Sequence, residues 1–209
     1  MKTEILDIYD ENLTWLGTKA RDAVHQDGDW HRVFQCWVIY RDAEGRDHIV
    51  VQRRGAQKDF FPNLLDVSAA GHYAVGETIR DGVREIREEL GLDAAFDDLI
   101  PLGRRVSVNR LGDLLDYEFA DVFFYRCDRP LHEYRYQREE VDGLAVFDID
   151  DGLAMYAGEC ESIQAQAVGF GQDVMTITRA DFVPTNDAYL YKILVLAKRC
   201  LNGEKHLVI

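Results

Sequence analysis

The chain has 209 residues, 47% hydrophobic and 30% charged, the balance of a folded chain with a core of its own. Asp and Glu outnumber Lys and Arg by 38 to 24, for a net charge of −14. Such a surface repels phosphate backbones and anionic lipid, which argues against nucleic-acid and membrane partners and obliges an anionic substrate to be met by local positive charge or a metal ion.

The opening residues, MKTEILDIYDENLTW, contain no apolar leader, and no apolar run reaches membrane-spanning length. Cys36, Cys127, Cys160 and Cys200 form no CxxC pair, so reduced thiols in a cytoplasmic protein are expected. His25 falls in a polar stretch that reads as a solvated loop. FQCWVIY (34–40) is an apolar, β-rich run, RDAEGRD (41–47) suits a hairpin loop, and HIVVQRR (48–54) is the return strand. Further strands are expected at 64–70, 99–108, 116–126 and 143–149, with Phe123 and Phe124 in the core. A helix is predicted from Thr78 to Leu90 and stopped by Gly91. YQREEVDG (136–143), with Glu139 and Glu140, reads as a solvated loop. Beyond residue 150, GLAMYAGECESIQAQAV (152–168) has few β-branched residues and reads as helical. In 185–203, Leu190, Ile193, Leu194, Ala197 and Leu201 recur at helical spacing. The prediction is one domain over 1–209: a core in about 1–150 and a C-terminal helical extension in about 151–209.

The chemistry concentrates in AAGHYAVGETIRDGVREIREELGL (69–92). On a helix Glu85, Glu88 and Glu89 share one face, a repulsive arrangement in isolation. A Gly-rich turn (Gly71, Gly76) enters the helix, Glu77 precedes it and Gly91 ends it. Clustered carboxylates between two loops suit a hard divalent cation whose shell is completed by phosphate oxygens.

This stretch resembles the Nudix box, Gx5Ex7REUxEExGU (U aliphatic), at Gly71, Glu77, Arg84, Glu85, Ile86, Glu88, Glu89, Gly91 and Leu92, with six rather than seven residues between Glu77 and Arg84. The resemblance implies an α+β fold, an α/β/α sandwich around a mixed sheet. It implies hydrolysis of a diphosphate linkage in a nucleoside diphosphate derivative or related compound. Mg²⁺ or Mn²⁺ would be held by Glu85, Glu88 and Glu89, with Glu88, Glu85 and Arg84 as the catalytic group.

Residues 1–150 also resemble the branch of the family that contains isopentenyl-diphosphate isomerase. That likeness sets His25, His31 and His72 near the isomerase's metal-binding histidines and Asp116 and Glu118 on its acidic pair. Arg54 and Lys58 fall on its diphosphate-contacting residues. Arg54, Lys58 and His72 are therefore the expected substrate contacts and Glu118 an added metal ligand. His72 also reads as a metal ligand or as a packed loop residue. Ala70 stands where the isomerase needs a catalytic cysteine, which disfavours isomerisation; a silent nucleotide-binding module is the remaining alternative. A homodimer is expected, through residues 1–33 or the last helix.

Overall fold

The computed structural model describes residues 4–58, 60–138 and 140–209; Glu139 of the charged loop lies outside them. β3 (Trp30–Arg41) organises the sheet. Val33, Trp37 and Ile39 are buried on one face, and Phe34, Cys36 and Val38 on the other. A strand buried on both faces needs a layer over each. β3 runs parallel to β8 (Leu114–Arg126) and antiparallel to β4 (Asp47–Arg54) and β6 (Ala69–His72). β9 (Val141–Asp148), β10 (Ser162–Val168) and β11 (Val174–Thr178) extend the sheet beyond β4. β1 (Ile5–Tyr9) and β2 (Trp15–Ala20) extend it beyond β3, while β5 (Leu65–Asp66) joins β4 and β7 (Ile100–Leu111) joins β8.

Helix α2 (Arg84–Leu90) buries Ile86 and Leu90 on the face that carries Phe34, Cys36 and Val38. Helices α3 (Ile149–Ala157) and α4 (Tyr189–Leu201) bury Met155, Ile193, Leu194 and Ala197 on the opposite face. The result is the expected mixed sheet between helical layers, with the short helix α1 (Arg21–Asp27) beside β8.

Two local expectations fail. Residues 162–178 form the β10–β11 hairpin, so the tail is helical only in α3, α4 and a 3₁₀ turn over Arg179–Asp181. In SIQAQAV the buried Ile163, Ala165 and Ala167 alternate with exposed polar residues, a period of two that overrides the low β-branching. The helix predicted from Thr78 starts only at Arg84, after a 3₁₀ turn over Asp81–Val83. Gly82 lies against Phe34 and Tyr73, where a side chain would have no room. This tighter turn absorbs the residue missing between Glu77 and Arg84.

The cleft follows from how β3 changes partners. It pairs with β4 through Val38–Arg41 and with β6 through Val33–Cys36. Ser68 bridges the divide, accepting from Val38 N–H at 2.8 Å and donating to the Val50 carbonyl. Along the face that carries Trp37, the sheet turns polar where α3 and α4 stop covering it. His31 and Gln35 of β3, Arg105 and Ser107 of β7, and Asp116 and Glu118 of β8 occupy that end. Tyr189, the first residue of α4, marks the border.

Candidate active site

The polar end of the sheet and the start of α2 enclose a cleft of about 810 Å³. Glu85 and Glu89 of α2 are buried towards it, and Glu88 is half exposed at its mouth. Glu85 can sit there because residue 71 is glycine: a Cβ would lie 2.1 Å from the Glu85 carboxyl carbon. Glu89 accepts hydrogen bonds from Ala70 N–H at 2.8 Å and Gln52 Nε2 at 3.1 Å. Arg84 binds the group together, donating to Glu77 (2.9 Å), Glu85, Glu88 (2.9 Å) and the His72 carbonyl (2.8 Å). Burial pushes the Glu85 carboxyl up to about 8, with Glu89 and Glu88 adding to the rise against Arg84. Burial raises Glu89 to about 7, against Lys58 and its two hydrogen-bond donors. Buried carboxylates that crowd one another in this way are stabilised by a cation.

Deeper in the cleft, His25 of α1, His31 of β3 and His72 of β6 come together, with ring centroids 5.1–5.7 Å apart. Asp116 lies 3.7 Å from His25 Nε2 and 3.6 Å from His31 Nε2. Among the described residues, two sets have all donor atoms within 4.8 Å of one another: His25, His31 and His72, and His31, Asp116 and Glu118. The box glutamates do not form a third such set. His31 Nδ1 contacts the Asp29 carbonyl at 3.1 Å and must carry the proton there, so Nε2 presents a lone pair to the acids. That buried Nε2 has no hydrogen-bond partner among the described residues. Burial, then His72, pushes His31 well below the ordinary imidazole value, while burial raises Asp116 and Glu118. Neutral imidazole nitrogen facing carboxylates is a donor set that fits a divalent cation. His25, read from sequence as solvated, is instead buried on α1 against Phe60, because the helix turns it inward.

The other expected contacts line the same cleft. Arg54 donates to Asp66 at 2.7 Å and to the Phe60 carbonyl at 3.0 Å. Lys58 pairs with Glu140, so Glu140 belongs to the cleft rather than to a solvated loop. His72 Nδ1 is 3.5 Å from Glu4. Glu118 stands with His31 and Asp116, across the cleft from α2. Sequence reading missed Gln35, Arg105, Thr185 and Tyr189. Gln35 sits between the core residues Phe34 and Cys36, Arg105 between exposed neighbours on a strand that reads as structural, and the other two lie in the tail.

A mixed sheet between helices, with a glutamate-bearing helix at the rim of a deep polar cleft, defines a Nudix-type enzyme. The NUDIX domain model matches residues 29–162. An uncharacterised Nudix hydrolase of Clostridium acetobutylicum is 36% identical over 203 residues, covering 94% of this chain and 98% of its own length. The isopentenyl-diphosphate Delta-isomerase of Serratia proteamaculans is 29% identical over 57% of this chain and 64% of its own. The crystal structure of DR0079 from Deinococcus radiodurans superposes with a TM-score of 0.55 at 26% identity, covering 74% of this chain and 90% of that one. The chain belongs to the Nudix hydrolase family and is a Nudix pyrophosphohydrolase.

Proposed function

We propose that the cleft hydrolyses the diphosphate linkage of an organic diphosphate, such as a nucleoside diphosphate derivative, with Mg²⁺ or Mn²⁺. One observation carries the reading: Gly71 lets the buried Glu85 carboxylate reach the rim of the same cleft that Arg54 and Lys58 line. Glu85, Glu88 and Glu89 would hold one cation, and His25, His31, His72, Asp116 and Glu118 would suit a second. Bound there, a divalent cation polarises the phosphoryl group and offsets charge in the transition state. Arg84 fixes the orientation of Glu85 and Glu88. Glu88, the box carboxylate most open to solvent, takes the proton of the attacking water. Arg54 and Lys58 hold phosphoryl oxygens.

The relative named as an isomerase raises a second reading, prenyl diphosphate isomerisation. Ala70 opposes it, since its methyl group lines the cleft and can neither give nor take a proton. A homodimer in the cytoplasm belongs to the preferred reading. Exposed Trp15, Leu16, Val106 and Val108 on strands β2 and β7 support the dimer, and light scattering tests it.

The test is phosphate or nucleotide release from nucleoside diphosphate sugars, dinucleoside polyphosphates, dinucleotides and prenyl diphosphates, with and without Mg²⁺. Metal-dependent cleavage that falls at least ~100-fold in Glu88→Gln is expected. Full activity in Glu85→Gln and Glu88→Gln would sink the assignment.

A further inference from the structure

The tail does more than cover the sheet. Asp187, two residues before α4, takes Arg105 Nε and Nη2 at 3.0 Å each, and the guanidinium carbon lies 3.9 Å from the centroid of the Tyr189 ring. Arg105, a lining residue of the cleft, is thus locked in place through Nε and Nη2, and its Nη1 makes no hydrogen bond among the described residues. A second chain of bonds fixes Gln35. Trp37 Nε1 donates to the Tyr189 hydroxyl at 3.1 Å, which must then spend its own proton on Gln35 Oε1 at 2.7 Å. With its oxygen so engaged, Gln35, a lining residue of the cleft, has its NH₂ left to donate. Thr185 Oγ1 accepts from Tyr189 N–H at 3.1 Å, which likewise leaves its hydroxyl proton to donate. Asp187 and Tyr189 of the tail thus hold three side chains, each with a donor left over.

We infer that Gln35 and Arg105, set by the C-terminal segment, are specificity-determining residues that receive an acceptor-rich organic group, such as a ribose or the ring nitrogens of a nucleobase, attached to the diphosphate. This rests on the diphosphate reading above and narrows its substrate class. A hydrocarbon group in the same place would strip water from these donors and return no hydrogen bond, so the subsite discriminates against prenyl diphosphates.

The test is binding without turnover. Calorimetry compares the methylene-bridged analogue of adenosine diphosphate with that of isopentenyl diphosphate, whose P–C–P bridges cannot be hydrolysed. The wild type should prefer the adenosine analogue by at least about tenfold, the worth of one or two charge-assisted bonds. Arg105→Met should collapse that ratio towards one. Gln35→Glu should do the same, and it keeps an acceptor for Tyr189, so its fold is preserved if Arg105→Met melts. Because the ratio is read, a general change in diphosphate affinity cancels. Equal or better binding of the prenyl analogue, or a ratio unmoved in both variants, overturns the inference. Failure of the hydrolase reading would instead appear as full turnover in the Glu88→Gln assay, which leaves this ratio untouched.

Discussion

Gly71→Ala is the sharpest perturbation of the site. The added methyl would lie 2.1 Å from Glu85 Cδ and Oε1 and 2.5 Å from Oε2, where ordinary contact begins near 3.4 Å. The carboxyl must therefore retreat by roughly 1.3 Å (3.4 less 2.1). The obstructed atoms are the end of a flexible side chain, so the fold survives. Overpacking costs about 1–3 kcal/mol, and at 2–4 °C per kcal/mol for a chain of this size the melting temperature falls by roughly 2–12 °C. Activity suffers more, because a displacement of about 1 Å in a positioned catalytic group lowers turnover on the order of 100-fold. Differential scanning fluorimetry and steady-state hydrolysis read the two effects separately. A Gly71→Ala enzyme that melts near the wild type and hydrolyses at the wild-type rate would refute the reasoning that Glu85 acts from this position.

Three further outcomes are expected. Manganese at about 100 times its dissociation constant should stabilise the wild type by about 2.7 kcal/mol, and Asp116→Asn should remove part of that gain; an identical thermal shift in the variant would count against the histidine and acid cluster. A prenyl diphosphate incubated in deuterated buffer should acquire no deuterium, by mass spectrometry, because Ala70 supplies no acid; exchange at carbon would revive the isomerase reading. Asp47 ties the β3–β4 hairpin to α4, accepting from Arg41 at 2.6 and 3.0 Å with Lys198 at 3.5 Å. Burial pushes its carboxyl up, but Arg41 and Lys198 outweigh this and hold it below its usual value. Its contribution is therefore complete above the unfolded value and lost as pH falls through the folded one. Asp47→Asn should cost about 1–3 kcal/mol at neutral pH in urea denaturation, and the gap should begin to narrow only below about pH 4.

The legible parts of the sequence were those with a strong local signal. FQCWVIY announces a central strand because both its faces are apolar, and DYEFADVFFYR because it alternates and then turns aromatic; both lie inside the sheet. REIREELGL shows its helix and its stop, since Gly91 adopts a positive φ of 66° against Arg135, where a side chain would collide. The carboxylates of α2 were readable as a group, but their division was not. Which of three neighbouring glutamates is buried depends on how α2 leans on β6, and Gly71 decides that from another element. The convergence of His25, His31 and His72 with Asp116 joins four elements, and only the family resemblance gave a hint of it. Nothing local marks Arg105 or Tyr189 as cleft residues, because their partners lie 82 and 154 residues away in the chain.

The most direct test is a crystal soaked in manganese and measured at the metal's absorption edge. Anomalous density bounded by the Glu85, Glu88 and Glu89 carboxylates, beside the strand that carries Gly71, is the predicted result. A map in which those side chains turn to solvent with no peak among them would contradict the account.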